Sequence, residues 1–261
     1  MLNLFDISVV GYDIIKIAAY IPVTLGLAFS SGLFGLILGF LLAVVRIRQI
    51  PVLKQIVAVF ISFMRGTPII VQLYVTYFGI PILLKYINYY QGTNYKVAGI
   101  PSIFYAILAL ALNSAAFSSV IIQSAFEAIN QGEIEAAAAL GMTSWQRMHR
   151  IIIPEAVELA LPNIGNQWIT LVKGTSLAFT CSVIEMTAEG KILGASGYRY
   201  FEAYVALAVL YWAITIVLEQ IIRIVMNRVR VPDVIDGTED SDKKSARRRA
   251  KAYKTAGGGV L

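Results

Sequence analysis

The chain has 261 residues, 57% of them hydrophobic and only 15% charged, with a formal net charge of +6. A soluble domain carries about 25% charged residues, so an ordinary water-soluble protein is excluded. The apolar residues gather into uncharged runs at 17–45, 66–84, 97–126 and 203–218. A spanning helix needs about 20 predominantly apolar residues, which makes this an all-α integral membrane protein. Much of the basic charge flanks the runs, as the positive-inside rule would have it, and the net charge is not a nucleic-acid signal. The single cysteine, Cys181, excludes a disulfide framework and a four-cysteine metal site. The first residues lack a basic region and a small-residue cleavage site, so the first span is expected to act as its own insertion signal.

Residues 1–16 set Phe5, Ile7, Val10 and Ile14 against Asp6, Asp13 and Lys16, a segment expected to lie on the membrane surface. The first span, 17–45, carries Gly35 and Gly39, a spacing that lets another helix approach closely. Arg46, Arg48 and Lys54 mark its cytoplasmic end and put the N-terminus outside. A second span, from Pro51 to Leu84, is interrupted by Arg65-Gly66-Thr67-Pro68. Eleven helical steps separate Lys54 from Arg65, roughly 16 Å, about half of a ~30 Å hydrocarbon core. Arg65 is thus expected near mid-membrane, beside a break that is tolerated only against protein or a water-filled cavity. Transporters place binding sites at such breaks, and a charge there is a functional candidate. The alternative is an arginine paired structurally with a carboxylate or helix carbonyls. Gln72 is expected on the same face as Arg65.

Residues 85–100 form a polar, tyrosine-rich external loop, either an interfacial belt or a receptor contact. The third span, 101–126, contains Asn113 and returns the chain to the cytoplasm. There Glu135 to Leu140 is a run of strong helix formers. Gly141 can supply the positive φ that ends it, Thr143 or Ser144 can cap a second helix, and Pro154 is expected to stop that helix. The fourth span, 158–184, is the least apolar. Asn166, Gln167, Lys173 and Ser176 are expected to share one face lining a cavity or a subunit interface; the alternative is interhelical hydrogen-bond glue. Residues 185–200 read as an external or re-entrant connection, and 201–222 as the fifth span, ending at Arg223, Arg228 and Arg230. The charged, glycine-ended stretch 231–261 reads as a disordered cytoplasmic tail. Five spans leave the N-terminus outside and the C-terminus cytoplasmic.

Glu135-Ala136-Ala137, then three residues, Gly141, nine residues and Ile151-Ile152-Ile153-Pro154 resemble the EAA loop of bacterial ATP-binding-cassette importer permeases, with Ile153 in place of the usual leucine. Arg65-Gly66-Thr67-Pro68 followed by Gln72-Leu73 resembles the R-G-T-P-x-x-x-Q-L signature of the polar amino acid branch. Leu161-Pro162 with Gly165-Asn166, and Leu171 to Leu177 around Lys173, resemble two further segments of that branch. The resemblance covers roughly residues 15–230. It implies a type I importer permease fold, with a permease domain at 17–230 and the coupling loop at 127–156. It further implies a bacterial cell membrane location and a second permease, identical or related. Two ATPase subunits would carry ATP and Mg, and an extracytoplasmic solute-binding protein would deliver an amino acid. Glu135, Ala136, Ala137, Gly141, Met142, Trp145 and Pro154 would form the coupling surface, with Met142 and Trp145 as anchors in a groove of the ATPase.

The substrate path is expected to use Arg65, Gln72, Asn166, Gln167, Lys173 and Ser176. The branch usually has an aspartate where this chain has Gly174, and often a Glu and an Arg where it has Val120 and Gln123. The solute is therefore expected to be a neutral polar or sulfur-containing amino acid, such as cystine or glutamine, its carboxylate held by Arg65 or Lys173. The chain has no phosphate-binding loop of its own and is expected to bind no cofactor. Its one histidine, His149, and the absence of H-E-x-x-H and G-x-S-x-G argue against an intramembrane enzyme. The rival is an autonomous secondary transporter or channel, which would be expected to show internal repeats; none is convincing.

Overall fold

A computed structural model describes residues 5–97 and 99–229, and there the backbone is helical throughout its regular elements. They are α1 (Ile7–Ala18), α2 (Ile21–Ile47), α3 (Leu53–Gly66), α4 (Ile69–Gln91), α5 (Ser102–Glu127), α6 (Gln131–Ala139), α7 (Ser144–Arg147), α8 (Ile153–Gly174), α9 (Met186–Gly197) and α10 (Tyr200–Val229). A π turn, Met148–Ile152, joins α7 to α8, and a 3₁₀ segment, Thr175–Cys181, extends α8. Helices α2, α4, α5 and α10 are each long and apolar enough to cross a membrane. The bent pair Ser144–Cys181 and Met186–Gly197 supplies a fifth crossing. An odd number of crossings puts the chain ends on opposite sides, and the arginines after α2 orient its C-terminal end to the cytoplasm. The expected tail, 231–261, lies outside the described residues.

Helix α5 is the centre, the most buried of the spanning helices. Its Ala, Ser and Leu residues take α2 on one side and α8 on another. Gly35 and Gly39 make the α2 contact possible. A Cβ at either would lie 2.6 Å from the Cβ of Ser114 or Ser118, closer than side chains can approach. The expected small-residue face is thus the seam of the bundle.

The second span is interrupted where expected. It is two helices, and the break is an extended Thr67-Pro68. The break packs beside Asn113, which lies eleven residues after Ser102 and fourteen before Glu127, so it sits at the middle of α5. Helix α4 also runs to Gln91, and the first half of the expected loop at 85–100 is helix, ended by Gly92 at φ 63°. Asn88 holds the residues beyond that glycine, donating to the Tyr95 carbonyl at 2.9 Å and accepting from Thr93 and Tyr95.

Helix α1 buries a different face from the expected one. Val10, Asp13 and Ile17 turn inward against α9 and α10, and Ile7 is 78% exposed. The amphipathic pattern placed Asp13 outward, but the neighbours that bury it come from the far end of the chain. Met186 belongs to the same apolar cluster, and Glu185 beside it is fully buried. Glu185 caps α9 by accepting from Thr187 and Ala188, each at 2.9 Å, and from the Tyr211 hydroxyl at 3.2 Å. These bonds hold the 56° bend between Ser144–Cys181 and α9.

Candidate functional site

The segment expected to couple, 127–156, is built from local signals. Asn130 caps α6 by accepting from Gly132. Gly141 adopts φ 81°, with Gly141 N–H donating to Ala138 and Met142 N–H to Ala137, the paired bonds of a Schellman end. Thr143 then caps α7 in a reciprocal box with Gln146. The expected helix, glycine turn and helix are all present. Glu135 and Ala136 are exposed on α6 while Ala137 is buried. Trp145 is 71% exposed and stacks near His149, with ring centroids 3.7 Å apart. Met142 is only half-buried, whereas Leu140, which the spacing did not single out, is 86% exposed.

Pro154 does not stop the second helix, contrary to the expectation. Proline lacks an N–H and its ring clashes with the carbonyl four residues back. The chain widens into a π turn ahead of it, with Ile153 N–H bonding Met148 O, and continues as α8. Ser144–Cys181 is therefore one helical rod. Helix α7 and the residues around Lys173 are carried on the same element.

At mid-bundle the polar residues separate into two groups. In the first group, the amides are satisfied internally. Gln72 is buried and occupied by the break itself, and it does not line the cavity on which Arg65 opens. Its amide donates to Met64 O at 2.8 Å, Thr67 O at 3.1 Å and Thr67 Oγ1 at 2.8 Å, and accepts from Asn113 at 3.0 Å. The Met64 carbonyl, which Pro68 deprives of a helical donor, finds its partners in these side-chain amides. Gln167 plays the matching part between α8 and α5. It donates to Ser114 O at 2.8 Å and Ser114 Oγ at 3.0 Å and accepts from Ser118 at 3.1 Å. Gln167 thus leaves the face it was expected to share, because α5 offers it three partners.

The second group makes no hydrogen bond or ion pair to another helix among the described residues. Arg65 is exposed, its guanidinium 5.4 Å over the Phe117 ring. It opens on a cavity of 540 Å³ shared with Arg46, Ser62, Phe117 and Val120. Neither arginine has an ion-pair partner among the described residues. Arg46, nineteen positions earlier on another helix, had served only to orient the first span, and no spacing signal links it to Arg65. On α8, Asn163, Asn166, Thr170 and Lys173 are all exposed at helical spacing, one polar stripe along the rod. Lys173 has no ion-pair partner among the described residues. Ser176 is half-buried in the 3₁₀ segment. Gly174 has open space where a side chain would stand, so the missing aspartate is not a steric matter. The Lys173 stripe does not line the Arg65 cavity within one chain.

Residues 35–231 match the family described as binding-protein-dependent transport system inner membrane component. The L-cystine transport system permease protein TcyL of Bacillus subtilis is 36% identical over 87% of this chain and 92% of its own length. The glutamine transport system permease protein GlnP of Escherichia coli is 33% identical over 76% of this chain and 85% of its own. Among solved structures, an amino acid ABC transporter crystallised with histidines superposes with a TM-score of 0.73 at 30% identity, covering 87% of this chain and all of that one.

Proposed function

The chain belongs to the family of binding-protein-dependent transport system inner membrane components, and we propose that it is the permease subunit of an ATP-driven amino acid importer. ATP and Mg reside on a separate ATPase pair, which docks on α6 and α7 through Leu140, Trp145 and Met142. An extracytoplasmic solute-binding protein delivers the amino acid, and a second permease, identical or related, completes the path. This chain supplies no ATPase site of its own.

The observation that carries this reading is the continuous rod Ser144–Cys181. A groove that moves α7 when the ATPases close moves the α8 stripe with it. The π turn is where the rod can flex, and such turns recur at functional sites. Nucleotide and solute then bias one two-state element in opposite directions. The cavity beside Arg65 carries two guanidinium groups and no acid, which suits the carboxylate of a neutral polar or sulfur-containing amino acid. Cystine and glutamine, the solutes of the TcyL and GlnP systems, are both of that class.

Reconstitution in proteoliposomes with the ATPase and receptor tests the reading. ATPase activity is expected to rise with cystine or glutamine and to fall away when Gly141 is replaced by a bulky residue. The replacement forces a side chain into positive φ, a strain of about 1–2 kcal/mol, and alters the coupling surface. Clear preference for arginine would overturn the substrate class. Solute flux without ATP would overturn the importer reading and favour an autonomous transporter.

A further inference from the structure

Helices α2 and α8 touch near the bundle centre, where a Cβ on Gly32 would meet the Trp168 ring at 3.1 Å. On the cytoplasmic side of that contact they are separated by a cavity of 670 Å³, floored by Ile122 and Phe126 of α5. Every lining residue is apolar except Arg48, which caps the cytoplasmic end of α2 and is exposed. Along α2 the wall runs from Leu36 to Arg48, twelve steps, or about 18 Å. One leaflet of hydrocarbon is about 15 Å deep. The opening is therefore a wedge as long as one leaflet, apolar inside, with a guanidinium at headgroup level.

We propose that an anionic phospholipid of the cytoplasmic leaflet seats an acyl chain in this wedge with its phosphate on Arg48. Guanidinium is suited to phosphate because its fork can donate two parallel hydrogen bonds. The wedge is the wrong face for the partner permease. The α8 residues that line the wedge, from Ile153 to Ile164, point on average roughly 140° away from the Asn166–Lys173 stripe, at ~100° per residue, and the stripe is the face that requires a polar partner. The lipid would touch the coupling machinery directly, because Met148 and Ile153, at the start and just past the end of the π turn, line the wedge. An acyl chain there braces the rod at its flexible point. The proposal does not depend on the solute.

The full chain, assembled with its ATPase and receptor in nanodiscs, is photolabelled with phosphatidylglycerol bearing a diazirine in its acyl chain, and with phosphatidylcholine bearing the same chain. Adducts are mapped by mass spectrometry. Phosphatidylglycerol is expected to label residues 36–47 and 153–164 about fivefold more than phosphatidylcholine, the equivalent of ~1 kcal/mol per basic residue near an anionic surface. R48A should reduce that ratio to about one and R48K should keep most of it. V157W, at a site already 45% exposed, fills the wedge and should remove the labelling by both lipids. Equal labelling in the unmodified chain overturns the proposal, as does labelling that V157W leaves unchanged. Disulfide formation between copies of V157C would assign the wedge to the partner permease instead.

Discussion

The coupling segment and the polar layer at the middle of α5 both carry residues that sit poorly in hydrocarbon, and they treat them in opposite ways. In the coupling segment the polar groups are consumed locally, by caps and by the Schellman end, and apolar side chains are left exposed. In the middle layer the amides are consumed by distant helices, and charges are left exposed. The exposed side chains are the proposed working surface in each case. They are apolar where a protein partner is proposed and charged where a solute is proposed.

The largest effect should come from the exposed apolar pair. Replacing Leu140 and Trp145 by alanine is predicted to reduce capture of the ATPase by roughly 30-fold or more per anchor, as for interface hot spots of about 2 kcal/mol. Melting of the permease alone should be unchanged. Retained capture would place the anchors elsewhere. Next, Q72L removes every bond that the amide makes to Met64, Thr67 and Asn113. With buried partners left unsatisfied, a loss of about 3 kcal/mol is expected in denaturation of the detergent-solubilised chain. K173A and R65A probe the charged half of the same contrast. Uptake should fall while stability changes by no more than about 0.5 kcal/mol; an equal loss of stability would make them structural like Gln72.

The smallest effect concerns α1. Burial, and then the nearby Glu202, push the Asp13 carboxyl above its ordinary range. A raised pKa in the docked state means that docking is favoured while the carboxyl is protonated and weakens as pH rises through that pKa. Hydrogen exchange of α1, relative to its intrinsic rate, should therefore quicken as pH rises out of the ordinary carboxyl range, and D13N should flatten the dependence. A pH dependence unchanged in D13N would show that another group is responsible.

The apolar runs, the arginines beside them and the spacing from Glu135 to Pro154 already identify the spanning segments, their orientation and the coupling turn, because these features act over a few residues. Gly141 and Thr143 need no distant partner to set a positive φ and a cap. Partner choice is different. That Gln167 faces Ser114 while Asn166 stays exposed, that Arg46 joins Arg65, and that Asp13 is buried by α9 and α10 depend on helices far apart in the chain. Pro154 shows the same limit at short range, since a π turn let the helix pass through a residue that by propensity ends one. Side-chain chemistry read along the chain is enough to say which residues cannot rest in lipid. Which of them are satisfied internally and which stay available is a property of the folded bundle, because a hydrogen bond between helices depends on how they pack and not on the order of residues.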